Sequence, residues 1–166
     1  MYKELKSLSE MNKNTYKIDS YINKSFNCLY KHDFESEIYL IGGAVRSLLI
    51  DKTPKDLDVV IVSDSSKEIE DFIEKFNLNY SKNSFGGFKI SHNGIQVDIW
   101  ATNDLFKAIQ YNLDGLFYNL KTKKITSMGY FDGIENKKLF VMNDKLSHPD
   151  ISRDLERKIR LKNLLD

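Results

Sequence analysis

Two aspartates and two glycines open the chemistry of this sequence. Asp56 and Asp58 flank Leu57 just ahead of an apolar run, Val59-Val60-Ile61-Val62. Residues two apart on a strand face the same way, so both carboxylates aim at one spot. Such a pair suits Mg²⁺, a hard cation that takes oxygen ligands and shares itself with substrate phosphates. Upstream, Gly42-Gly43 interrupts a strand-like run, Ile38-Tyr39-Leu40-Ile41, and precedes a helix-compatible stretch, Ala44 to Ile50, with Arg46 in its first turn. Glycine lets the backbone approach a ligand, and a helix N-terminus offers N–H groups to an anion. Arg46 can add a charge-assisted contact to a phosphate. Taken singly, a Gly-Gly pair is often only a tight turn and an Asp-x-Asp only a solvated loop. Joined by one short helix that Pro54 ends, they read as a triphosphate cradle beside a metal site.

A third carboxylate follows. Phe85 to Ile90 and Ile95 to Trp100 are strand-like runs separated by Ser91-His92-Asn93-Gly94. Asn-Gly between alternating runs is a strong hairpin signal. In the second run Val97 and Ile99 share one face, and Gln96, Asp98 and Trp100 share the other. Aspartate in mid-strand is unfavourable by propensity, so Asp98 belongs either to an edge or to chemistry.

Gly42-Gly43-Ala44-Val45-Arg46 followed by Lys55-Asp56-Leu57-Asp58-Val59-Val60 resembles the signature of the nucleotidyltransferase superfamily that includes DNA polymerase beta. More narrowly, it is similar to the catalytic head of bacterial CCA-adding enzymes and poly(A) polymerases. That pattern is Gly-Gly-x-Val-Arg-Asp, then Asp-x-Asp; here Ser47 stands where the family usually has Asp. The resemblance implies an acidic residue on the strand after a Phe-Gly hairpin, which Asp98 supplies. It also implies two Mg²⁺ ions, or Mn²⁺ in their place, held by Asp56, Asp58 and Asp98. Gly42, Gly43, Arg46 and Asp114 are then expected to hold the nucleotide. Asp114 falls on the aspartate of a family Arg-Arg-Asp-Phe-Thr stretch, but the two arginines are Asn112 and Leu113 here. Apart from the resemblance, Asp114-Gly115 reads as a turn. A family neck motif, Glu-Asp-x-x-Arg, chooses C or A, and no such template is expected in so short a chain.

The 166 residues fit one domain with 150–166 as a closing or neck-like helix, and the net charge of +1 offers no global basic field. A lone cysteine, Cys28, excludes an internal disulfide framework and suits a reducing cytosol, so a cytoplasmic location is expected. No apolar run reaches the ~20 residues of a membrane helix, and Met1-Tyr2-Lys3-Glu4 lacks a signal-peptide core. His32, His92 and His148 have no partners at zinc-ligand spacing.

In chain order, the first 14 residues read as a polar lead. The spacing of Ile18, Tyr21, Ile22, Phe26 and Leu29 predicts one amphipathic helix over Tyr16 to Lys31. Ser65 to Phe76 reads as a helix capped by Ser65 or Ser66, and Asn103 to Asn112 as a short helix. Leu116 to Leu120 and Lys124 to Ser127 read as a hairpin, Tyr130 to Lys137 as a loop with a short helix, and Leu139 to Met142 as a last strand. Ile151 to Leu165 closes the chain as a basic helix that serves as a solvated face, an RNA rail or the start of a neck. The expected fold is α/β (α+β): a mixed, mostly antiparallel sheet of about five strands flanked by helices. The expected reaction is metal-dependent transfer of a nucleoside monophosphate from an NTP to an acceptor hydroxyl, an RNA 3′ end by resemblance, releasing pyrophosphate. The acceptor is held by this chain or by a partner chain, and the oligomeric state is left open. Two alternatives stand beside it: a toxin- or resistance-type transferase acting on a tRNA, protein or small molecule, and a weakly active nucleotide-binding regulatory module, which Ser47 and Asn112-Leu113 motivate.

Overall fold

The computed structural model describes residues 7–83, 86–143 and 151–165, with side chains in the last stretch from residue 154. Three short helices lead in: Leu8–Lys13 (α1), Tyr16–Ser25 (α2) and Cys28–Lys31 (α3). Strand Ile38–Ile41 (β1), helix Gly43–Leu49 (α4) and strand Asp56–Val62 (β2) form the central unit. Helix Lys67–Lys75 (α5) leads to strands Asn79–Lys82 (β3), Phe88–His92 (β4) and Ile95–Thr102 (β5). Single 3₁₀ turns at Leu105–Ala108 and Asn112–Asp114 precede strands Leu116–Asn119 (β6) and Lys124–Ser127 (β7). Helices Tyr130–Asn136 (α6) and Ile151–Asn163 (α7) complete the described chain.

The strands form one seven-stranded sheet in the order β3-β4-β5-β2-β1-β6-β7. Only β2 and β5 pair in parallel; the other neighbours are antiparallel. The two faces differ. On one, Leu40, Val59 and Val97 pack with Ile18 and Ile22 of α2 and Ile69 and Phe72 of α5. All seven are fully buried, each worth about 1.5–3 kcal/mol over exposure. The other face carries a smaller cluster of Tyr39, Ile41, Val60 and Phe117, covered by Ala108 and Ile109. β2 therefore alternates: Leu57, Val59 and Ile61 enter the large core, while Asp56, Asp58 and Val60 face the thinly covered side. The fold leaves one sheet face free for polar groups where the small cluster ends.

Several expectations change. The sheet gains strands beyond the expected five because β3 is exposed at every position and shows no apolar alternation. The helix expected over Tyr16 to Lys31 breaks at Phe26 (φ −152°, ψ 55°), which leaves the helical region while its ring stays fully buried. The polar lead contains α1, pinned by fully buried Met11 and by Asn12, whose Nδ2 donates to Ile125 O at 3.2 Å. Leu139 to Met142 is no strand; Val141 makes a lone bridge to Tyr111. The expected helix over Asn103 to Asn112 is the 3₁₀ turn at Leu105–Ala108, started by the Asp104 side chain accepting from Phe106 N. The first hairpin strand begins at Phe88; Ser84 and Phe85 lie outside the described residues, as does His148.

Candidate active site

The parallel register of β2 and β5 sets Asp58 directly beside Asp98 and Asp56 beside Gln96. Because Asp56, Asp58 and Asp98 share pleat parity, all three side chains leave the same sheet face. One row runs across that face: Phe117, Ile41, Asp58, Asp98 and Lys89 on β6, β1, β2, β5 and β4. Apolar groups end where the carboxylates begin. Asp56 is exposed one pleat further along, at the head of β2.

Burial costs these acids solvation. It pushes the Asp58 carboxyl up to about 7, helped by repulsion from Asp98, Asp114 and Asp56 and opposed by Arg157. Asp98 is also raised, first by burial, with Lys89 pulling the other way and Asp56 adding to it. Its Oδ1 is buried without a hydrogen-bond partner. An unpartnered carboxylate oxygen facing a second carboxylate across one strand spacing is the donor set that a divalent cation completes. Among the described residues no three acidic, His or Cys side chains are drawn into a ready cluster. The expected convergence of Asp56, Asp58 and Asp98 on one point is therefore not seen; Asp58 and Asp98 are the two carboxylates the fold sets side by side. The residues present fit Mg²⁺.

Gly42 joins β1 to α4 at φ 70°, ψ −132°, a conformation that favours glycine. A Cβ there would meet the Asp114 carboxylate at 3.6 Å. Arg46 lies over this turn. Its Nη1 donates to Leu113 O at 2.5 Å and to Asp114 Oδ1 at 3.2 Å, and its Nη2 lies 3.2 Å from where a Gly43 Cβ would stand. Gly42, Gly43, Arg46 and Asp114 are thus brought together, and Arg46 spends part of its guanidinium bracing the Asp114 turn. Asp114, read from the residues alone as a turn, does sit in one, but it is 7% exposed and ion-paired twice.

Asn112 and Leu113 are fully buried. Asn112 Nδ2 donates to the carbonyls of Gly129 and Lys138, and its Oδ1 accepts from Phe140 N at 2.8 Å. Gly115 and Gly133 leave the room this knot needs: a Cβ at Gly115 would overlap Met128 O, and one at Gly133 would overlap Asn112 Nδ2. An arginine side chain at 112 would not fit this knot as it is packed.

Two residues of the closing helix, read in the sequence as a solvated face, an RNA rail or the start of a neck, reach the site. On α7, Asp154 Oδ1 accepts from Gln110 Nε2 at 3.0 Å and from the Tyr111 hydroxyl at 3.3 Å. Arg157 Nη2 donates to Asp114 Oδ2 at 3.0 Å, and its Nη1 donates to Gln110 Oε1 at 3.2 Å. The signal was present: Arg153-Asp154-Leu155-Glu156-Arg157 matches the Asp-x-x-Arg end of the neck motif with Arg in place of Glu. α7 is also no free basic rail at Arg157, which points back onto the site.

The sequence model of the poly A polymerase head domain matches residues 38–104. Comparison with curated protein sequences finds no match. Among solved structures, the Thermotoga maritima CCA-adding enzyme complexed with tRNA superposes with a TM-score of 0.61 at 19% identity, over 93% of this chain and 40% of that one. A CCA-adding enzyme complexed with CTP gives 0.60 at 18%, over 93% and 41%. A tRNA nucleotidyltransferase with a primer tRNA and an incoming ATP analogue gives 0.51 at 15%, over 64% and 36%. The chain spans about two fifths of the length of these relatives. Residues 38–104 thus match the poly A polymerase head domain, and the chain shares its fold with solved CCA-adding enzymes.

Proposed function

We propose that this chain is a nucleotidyltransferase that moves a nucleoside monophosphate from an NTP to the 3′ hydroxyl of an RNA, with release of pyrophosphate. The pairing of Asp58 with Asp98 beside the Gly42-Gly43 turn carries the reading. Asp56, Asp58 and Asp98 would hold Mg²⁺, which when bound neutralises developing phosphate charge and eases ionisation of the attacking hydroxyl. The Gly42-Gly43 turn and the Arg46 guanidinium beside it would cradle the triphosphate. Asp98, whose Oδ1 has no partner, takes the acceptor proton. Asp154 accepts and Arg157 donates, so together they complement a base edge with an amino donor beside a ring-nitrogen acceptor. Cytosine and adenine offer that edge; uracil and guanine offer the reverse. An RNA acceptor is favoured because relatives of this fold are solved with tRNA.

The test is incubation of the purified chain with Mg²⁺, each labelled NTP in turn, and total RNA or a tRNA lacking its 3′ end. Label from CTP or ATP should enter RNA, and Asp58→Asn and Asp98→Asn should abolish it. Label that enters protein or a small molecule instead would favour the toxin- or resistance-type alternative. NTP binding without any label transfer would favour a regulatory module. Transfer unaffected by either substitution would sink the assigned site.

A further inference from the structure

We propose that Gln110 is an internal stand-in for the nucleobase: its carboxamide closes the Asp154–Arg157 pair and must withdraw before a base edge binds there. The inference rests on the reading of Asp154 and Arg157 given above. Gln110 is 1% exposed, unusual for glutamine unless its polar atoms are paired. Its Nε2 donates to Asp154 Oδ1 and its Oε1 accepts from Arg157 Nη1. A carboxamide presents one donor beside one acceptor, the same order that an amino group and a ring nitrogen present on cytosine or adenine. The side chain therefore satisfies both template groups with base-like polarity while no nucleotide is bound.

The main chain at Gln110 is held separately. Its carbonyl accepts from Met142 N at 2.6 Å and Asn143 N at 3.3 Å. Withdrawal is thus a side-chain rotation rather than an opening of the segment. An incoming base that matches the pair replaces both lost hydrogen bonds. A base of reversed polarity leaves a buried acceptor facing an acceptor and cannot compensate. Gln110 lowers affinity for any base that must displace it, since a site that must first open binds with reduced apparent affinity; a nucleotide held by its phosphates alone, its base left outside the pair, does not meet that cost.

Calorimetric titration of the full chain with CTP, ATP, GTP, UTP and inorganic tripolyphosphate, each with Mg²⁺, tests this. Gln110→Met keeps length and packing but removes the amide. It should bind CTP or ATP on the order of tenfold tighter, with a smaller gain for GTP and UTP, because the competing hydrogen bonds are gone. Tripolyphosphate, which has no base, should bind both proteins alike. The unmutated chain gives a second measurement should the variant not fold. Gln96 and Gln110 are its only glutamines, so selective ¹⁵N labelling yields two side-chain amide pairs. The Gln110 pair should move on adding CTP or ATP and stay still on adding tripolyphosphate. An unmoved Gln110 amide, or nucleotide affinity unchanged or weakened in folded Gln110→Met, overturns the proposal. Asp154→Ala and Arg157→Ala separate the two levels. If neither alters preference among NTPs, base reading itself fails and takes this inference with it. If they alter preference while Gln110→Met tightens nothing, only the stand-in role fails.

Discussion

At the scale of single residues, the site is a set of charges held against their own preference. Asp58 and Asp98 face each other across one parallel strand pair, and burial raises both. In metal-free buffer at pH 8, above the value of about 7 to which Asp58 is pushed, this repulsion opposes folding. Asp58→Asn should therefore raise the melting temperature in EDTA while abolishing transfer, because a neutral amide relieves the repulsion but holds Mg²⁺ poorly. Thermal melts with EDTA and with Mg²⁺ check this: Mg²⁺ should stabilise the unmutated chain and leave the variant nearly unmoved. Asn112 makes the opposite argument. Arginine at 112 restores the family residue type but places a cation in a fully buried knot with three hydrogen bonds. Asn112→Arg should cost about 3–5 kcal/mol, the scale of an uncompensated buried charge, measured by denaturant unfolding. A folded variant with higher activity would show that the knot can open. The shared facing of Asp56 and Asp58 was legible because strand parity is fixed at two residues. The double pairing of Asp114 was not, because one partner is 68 residues upstream and the other 43 downstream.

At the scale of elements, local chemistry was readable where the backbone itself demands a residue. Asn93 and Gly94 adopt φ 49° and 80°, the two positive values of a tight hairpin turn, and β4 and β5 pair up to His92 and Ile95 on either side. The break at Phe26 and the exposed strand β3 were not readable, because tertiary packing and sheet-edge pairing decide them rather than periodicity. α5 shows how an element is tied down by a contact no local rule gives. Glu68 Oε1 accepts from the backbone N–H groups of Glu35 at 2.7 Å and Ser36 at 3.2 Å, just before β1. Burial pushes the Glu68 carboxyl up, but these hydrogen bonds and Lys121 outweigh it and hold it below the usual carboxylate range. A depressed carboxylate contributes stability above its unfolded value near 4.3 and loses it as pH falls through its folded value. Glu68→Gln should thus cost about 1 kcal/mol at pH 7 and nothing near pH 2. Equal losses at both pH values would show that packing, not charge, anchors α5.

At the scale of the whole molecule, the described helices include none long and apolar enough to cross a membrane, and the feature that most affects the site is the docking of α7. Among the described apolar side chains of α7, only Leu161 is fully sunk into the core, while Leu155 and Ile159 remain more than half exposed. Polar contacts therefore decide where the helix sits. Asp114 takes Arg46 of α4 on one oxygen and Arg157 of α7 on the other, so it couples the glycine turn, the 3₁₀ turn at Asn112–Asp114 and α7. Removing a shared buried acceptor leaves two guanidinium groups without their anion. The cost for a fully buried pair is 3–5 kcal/mol; Arg157 is partly solvated here, so Asp114→Ala should cost about 2–3 kcal/mol. The loss should be uneven. Amide hydrogen exchange of α7 should accelerate, while β2 and β5 stay protected by the large core. Asp154 and Arg157 would lose their fixed positions together, so preference among NTPs should flatten in the same variant. Protection of α7 that falls no more than that of β2 would place Asp114 in the support of the sheet, and the coupling between nucleotide cradle and closing helix would have to run through another contact.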